Sequence, residues 1–78
     1  MDLQRFTAEV AAQFLEKIDL GPDTDFRKND FFDSLIGMAI LVMIKDNYNY
    51  DMGVPAFLSC KTPRDLYNQI NQLNNESK

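Results

Sequence analysis

Histidine is absent from this 78-residue chain, and cysteine occurs once. With no imidazole to ligate a metal or to act as base in a Ser–His or Cys–His pair, zinc sites and histidine-based triads are excluded. One cysteine cannot close an internal disulfide. Cys60, with nothing to activate it, reads as a small apolar side chain rather than a catalytic thiol. Positive charge is also scarce: 8 Lys and Arg stand against 12 Asp and Glu, a net charge of −4. A binder of phosphate backbones wants a basic patch, so nucleic acid is not an expected partner. The balance fits a protein that meets basic patches on other proteins. Long hydrophobic runs are missing as well. The apolar stretch from Leu35 to Ile44 covers about 15 Å as a helix, half of a bilayer core, so no membrane insertion is expected. The first residues, Met1-Asp2-Leu3-Gln4-Arg5, lack the apolar core of a signal peptide, and the expected location is the cytoplasm.

A hydrophobic content of 45% is enough for one small core, and no boundary or internal repeat divides the chain. The expectation is a single domain over residues 1–78, with Asn74 to Lys78 a fraying tail. Leu3, Phe6, Val10, Phe14 and Ile18 recur at spacings of three and four, which predicts a first helix from Leu3 to Ile18. Asp2 is its expected N-cap, and Gly21-Pro22 its stop. No period appears from Asp19 to Asp33. So long an irregular stretch in so small a domain means function or disorder, and Phe26, Phe31 and Phe32 predict an ordered loop pinned by buried aromatics, with a short helical turn near Asp30.

Ser34 then opens a second helix to Tyr48, its hydroxyl read as the N-cap. On a helical wheel Gly37, Ile40, Leu41, Ile44 and Tyr48 form a core sector; Leu35, Met38 and Val42 lie on another side, edged by Lys45 and Asp46, and Ile36 and Met43 on a third. A helix apolar all round is normally buried all round, and a domain this small cannot surround it, so part of that surface is expected to face a partner. Gly37 in the helix interior needs a packing reason: room for a ligand chain, or the close approach of another helix. Pro55 to Cys60 predicts a turn or two of helix. Thr62-Pro63-Arg64-Asp65 predicts a well-capped final helix with Leu66, Ile70 and Leu73 facing the core.

Phe26, Asp33-Ser34-Leu35, Ile40, Leu41, Ile44, Tyr48, Val54-Pro55, Thr62, Asp65, Leu66 and Ile70 follow one another in an order that resembles the acyl carrier protein family. The resemblance spans nearly the whole chain. It implies an all-α, four-helix bundle of acyl-carrier type, three longer helices and one short, with a long loop between the first two. It also implies a carrier rather than an enzyme, with 4′-phosphopantetheine from coenzyme A attached to Ser34 and flanked by Asp33 and Leu35. The implied partners are a phosphopantetheinyl transferase, an acyl-loading ligase or acyltransferase, and ketosynthase-type enzymes, met by Leu35, Met38, Val42 and Lys45. Fatty-acid-like or polyketide-like synthesis is the expected setting, for which a free-standing length argues against a module of a larger synthase. The alternatives are an aminoacyl, peptidyl or D-alanyl carrier, and a plain helical interaction module whose Ser34 is only a cap. The chain departs from the family pattern in three places. Asp30-Phe31 stands where Leu-Gly is usual, the loop before Val54-Pro55 is longer, and the second helix has no acidic residue before Asp46.

Overall fold

The computed structural model describes the backbone of residues 2–76 and the side chains of 2–71. Four α-helices are present, α1 (Leu3–Ala11), α2 (Ser34–Tyr48), α3 (Val54–Leu58) and α4 (Pro63–Glu76), with a 3-10 turn at Phe26–Lys28 and no strand among the described residues. This is the expected all-helical bundle. The Leu73 side chain and the chain beyond Glu76 lie outside the described residues, while the backbone of residues 74–76, expected in the tail, continues α4.

Two of the helix starts follow directly from local chemistry. The Asp2 carboxylate accepts a hydrogen bond from the Gln4 N–H at 3.1 Å and opens α1. At α4, Thr62 Oγ1 accepts from the Asp65 N–H at 3.2 Å, and Asp65 Oδ2 accepts in return from the Thr62 N–H at 3.3 Å. This reciprocal capping box satisfies donors that the helix itself leaves unpaired.

The first helix is shorter than its periodicity predicts. It ends at Ala11 instead of Ile18, and Gly21-Pro22 is not what stops it. After Ala11 the amides of Gln13 and Phe14 bond back three residues, to Val10 and Ala11, and Gln13 Nε2 takes the Glu9 carbonyl. The tightened turn still delivers Phe14 to the core, beside Phe32. Gly21 closes a side-chain turn with Thr24 and no glycine has a positive φ, so the expected left-handed stop is absent.

Phe6 marks where three helices meet. Fully buried on α1, it stacks edge-on against Tyr48 of α2 at 5.4 Å and against Tyr67 of α4 at 6.0 Å. From there Val10, Ile40, Ile44, Leu66 and Ile70 fill the core. Ile36 and Met43, set apart from the core sector on the helical wheel, are buried too and join the same core cluster.

That loop is ordered by an aromatic relay, Phe14 to Phe32 at 6.2 Å, Phe32 to Phe26 at 5.6 Å, and Phe26 to Phe57 of α3 at 6.0 Å. Backbone bonds from Phe26 N to the Lys61 carbonyl and from Arg64 N to the Pro22 carbonyl tie it to the start of α4. A 3-10 turn forms at Phe26–Lys28, where Asp25 caps it, and a hydrogen-bonded turn from Asn29 to Phe32 follows across Asp30. One expectation for the loop fails: Phe31 stays 52% exposed.

Candidate functional site

The start of α2 is built by Asp33, not by Ser34 as its cap. Asp33 is extended and its Oδ1 accepts from the Ile36 N–H at 3.0 Å, while Ser34 is already the first helical residue. Asp caps as well as Ser, and only one of them can occupy the position. The consequence is chemical. Ser34 is exposed, and its Oγ is engaged in no hydrogen bond among the described residues. Its neighbour Asp33 is committed to the helix and is not hydrogen-bonded to it.

Beside Ser34 a groove of about 300 Å³ runs between α2 and α3. Phe32, Gly37, Met38, Leu41, Val54, Phe57 and Leu58 line it, and Arg27, Asp33 and Ser34 provide its polar groups. Gly37 now has its packing reason. A Cβ placed there would lie 3.2 Å from Cε2 of Phe57 and 3.6 Å from Cζ of Phe32, so the absent side chain lets the α3 ring close onto α2 and form the groove floor. The rim continues outward as apolar surface: Leu35 is 67% exposed, Met38 57% and Val42 55%. Val54 and Leu58 are exposed on the facing helix. Lys45 is exposed on the last turn of α2, about 16 Å along the axis from Ser34, where it borders a shallow depression with Met38 and Val42.

Residues 4–70 match the family model described as the phosphopantetheine attachment site. The chain belongs to this carrier family. No curated protein and no solved structure matches it. Membership brings a covalent 4′-phosphopantetheine, and carriers of this kind do not catalyse; they receive the arm from a phosphopantetheinyl transferase and present cargo to loading and processing enzymes. The residues of this carrier fit such a group, with a free, exposed hydroxyl at a helix start and an apolar groove at its side. No helix among the described residues is long and apolar enough to cross a membrane. No cluster of acidic or thiol side chains suited to a metal ion occurs among them either.

The sequence pattern marks Asp33, Ser34, Leu35, Met38, Val42 and Lys45; the first five lie around the start and one face of α2, and Lys45 lies on its last turn. It does not mark Arg27, Phe57 or Leu58, and Val54 stands in the carrier pattern without being read as a site residue. Val54 and Leu58, four apart around Pro55, carry a weak periodic signal. Arg27 carries none, because it bonds to backbone carbonyls 30 and 33 residues away.

Cys60 is buried, as its composition-level reading expects, with Sγ 3.4 Å from the Ala56 carbonyl. Burial pushes its thiol above the usual range, the opposite of what a nucleophile requires.

Proposed function

We propose that the chain is an acyl carrier whose 4′-phosphopantetheine arm is attached at Ser34 and carries acyl intermediates in fatty-acid-like or polyketide-like biosynthesis. One observation carries the reading: the Ser34 hydroxyl is exposed and unengaged at the mouth of an apolar groove. When bound, the arm supplies a terminal thiol that holds cargo as a thioester. Ser34 supplies the oxygen that links it to the protein. A serine hydroxyl is a weak nucleophile at neutral pH. Asp33, its nearest carboxylate in sequence, already holds the Ile36 amide. The base and the metal for attachment therefore come with the transferase. The start of α2 tolerates the anionic linkage, since first-turn amides point outward there.

The groove favours an acyl cargo over an aminoacyl one. A CH₂ chain gains about 0.8 kcal/mol per buried methylene. An ammonium group taken into the same lining would find only Asp33 and would pay for desolvation. Leu35, Met38, Val42 and Lys45 form the face offered to partner enzymes in this reading, a face with far more apolar surface than charge. A cytoplasmic setting and a single domain over residues 1–78 complete the proposal.

The test is incubation with coenzyme A and a broad-specificity phosphopantetheinyl transferase, read by intact-protein mass. The expected result is a gain of one phosphopantetheine on the wild type and none on Ser34→Ala at an unchanged melting temperature. Folded wild type that stays unmodified would remove the proposal. Direct loading from octanoyl- or alanyl-coenzyme A then separates the two cargo classes: the octanoyl form should melt higher than the unloaded carrier and the alanyl form should not.

A further inference from the structure

We propose that Arg27 is a latch that holds α3 against the groove and so limits the length of the chain the carrier can shelter. The inference rests on the reading of Ser34 as the arm's attachment point and of the groove as the shelter of its cargo.

Helix α3 spans five residues, Val54–Leu58, and no side chain caps its N-terminus at Gly53. A helix this short has no stability of its own. Its one buried residue is Phe57. What fixes it in place is the 3-10 turn of the long loop. Arg27 Nη2 donates to the Phe57 carbonyl at 2.9 Å and Nε donates to the Cys60 carbonyl at 2.7 Å. The Phe57 carbonyl, which also accepts from the Cys60 N–H, lies at the C-terminal end of the short helix and the Cys60 carbonyl two residues beyond it, where a cation is favoured. The guanidinium also lies over the Phe57 ring, 5.3 Å from its centroid. Phe57 thus packs against Arg27, the ring of Phe26 and the bare Cα of Gly37.

This geometry gives the groove one wall that is held and one that is intrinsic. The α2 wall belongs to a 15-residue helix rooted in the core. The α3 wall is held from the loop: Phe26 packs on Phe57, and the half-buried Arg27, which itself lines the groove, bonds to the Phe57 carbonyl within α3 and to the Cys60 carbonyl just beyond it. Lysine cannot replace it. An ammonium has no planar fork with which to span two carbonyls and cover a ring at once. Cutting those bonds leaves Phe57 free to swing off Gly37, which deepens the groove in the direction a longer chain would extend.

Two measurements on wild type, Arg27→Lys and Arg27→Met test this. The first is amide hydrogen exchange on the unloaded carrier, which needs no attachment chemistry. Exchange over residues 54–60 should rise about tenfold or more in both variants while the core amides of α1 and α4 keep wild-type rates. Unchanged exchange over 54–60, or a uniform rise throughout the chain, would overturn the latch. The second is loading from acyl-coenzyme A of graded length, followed by melting. The wild-type melting temperature should climb with chain length to a limit. In the variants that limit should move at least about two carbons longer, even though the unloaded variants melt lower. An identical limit in all three proteins, or no dependence on length in the wild type, would overturn the claim about cargo. A carrier that never loads removes the reading of Ser34, and the limit on cargo with it, whatever the exchange rates show.

Discussion

The two ends of α2 carry a hydroxyl each, and the helix treats them oppositely. At its last residue the Tyr48 hydroxyl donates to Glu9 Oε1 of α1, and Asn47 Nδ2 reaches the same carboxylate at Oε2. The Tyr48 ring meanwhile packs on Phe6. At its first residue the Ser34 hydroxyl bonds to nothing among the described residues and opens onto solvent and an apolar groove. One end fastens the helix to the bundle; the other leaves an oxygen to be modified and a surface to be docked. The lesson is that a single helix can separate stability from function along its length. A small domain needs that separation, since it has few residues to spare for either.

The largest effect belongs to the fastened end. Phe6→Ala removes the ring against which Tyr48 and Tyr67 pack and should cost about 3–5 kcal/mol, while Met38→Ala on the open face should stay within about 0.5 kcal/mol. Urea unfolding of the two variants measures the contrast, and comparable losses would break it. Next comes the hydroxyl itself. Tyr48→Phe should cost about 1–2 kcal/mol, since it removes a donor to a carboxylate.

That second variant also carries a pH signature. Burial, and then the Glu9 carboxylate that accepts its hydrogen bond, push the Tyr48 hydroxyl up to about 12. A raised acid favours the neutral form in the folded state. Its contribution is therefore whole below pH 10, the unfolded value, and is lost as pH climbs through about 12. The stability difference between wild type and Tyr48→Phe should hold steady to pH 10 and shrink between 10 and 12; a flat difference would count against it.

The third contrast lies within the open end. Asp33→Ala deletes the cap of α2 and should lower stability by about 1 kcal/mol, whereas Ser34→Ala should leave it unchanged. The reverse order would return the cap to Ser34. The smallest effect is ionic. With Leu35, Met38 and Val42 as the docking face, the KM of a transferase for this carrier should vary little between low and moderate salt, because screening weakens charge contacts and not apolar ones. A steep rise in KM would show that docking depends on charge.

Much of this molecule is legible from neighbouring residues. The capping box at Thr62-Asp65, the Asp2 cap and the span of α2 need only local sequence, since a cap and the amide it satisfies sit two or three positions apart. The exposed trio Leu35, Met38 and Val42 follows from the helical period together with the size of the chain, because so small a bundle cannot enclose a helix apolar on every side. The length of α1 is not legible. Phe14 keeps the apolar register after the helix has ended, and periodicity alone cannot tell a buried residue on a helix from one on the turn beyond it. Nor is the choice between Asp33 and Ser34 as cap, as both side chains suit the position and only the backbone angles of the folded chain assign it.

The sequence by itself determined the carrier pattern, an all-helical domain, a serine at the head of an apolar helix and the lack of histidine and of a second cysteine. The reasons are local or compositional: a missing residue type cannot be supplied by folding. Only the tertiary structure decided that Ser34 Oγ is left unengaged, that Gly37 exists for the ring of Phe57, and that Arg27 reaches across to the end of α3. Those features depend on contacts between segments up to 33 residues apart, and an acceptor that is a backbone carbonyl leaves no mark on the identity of the residue that carries it.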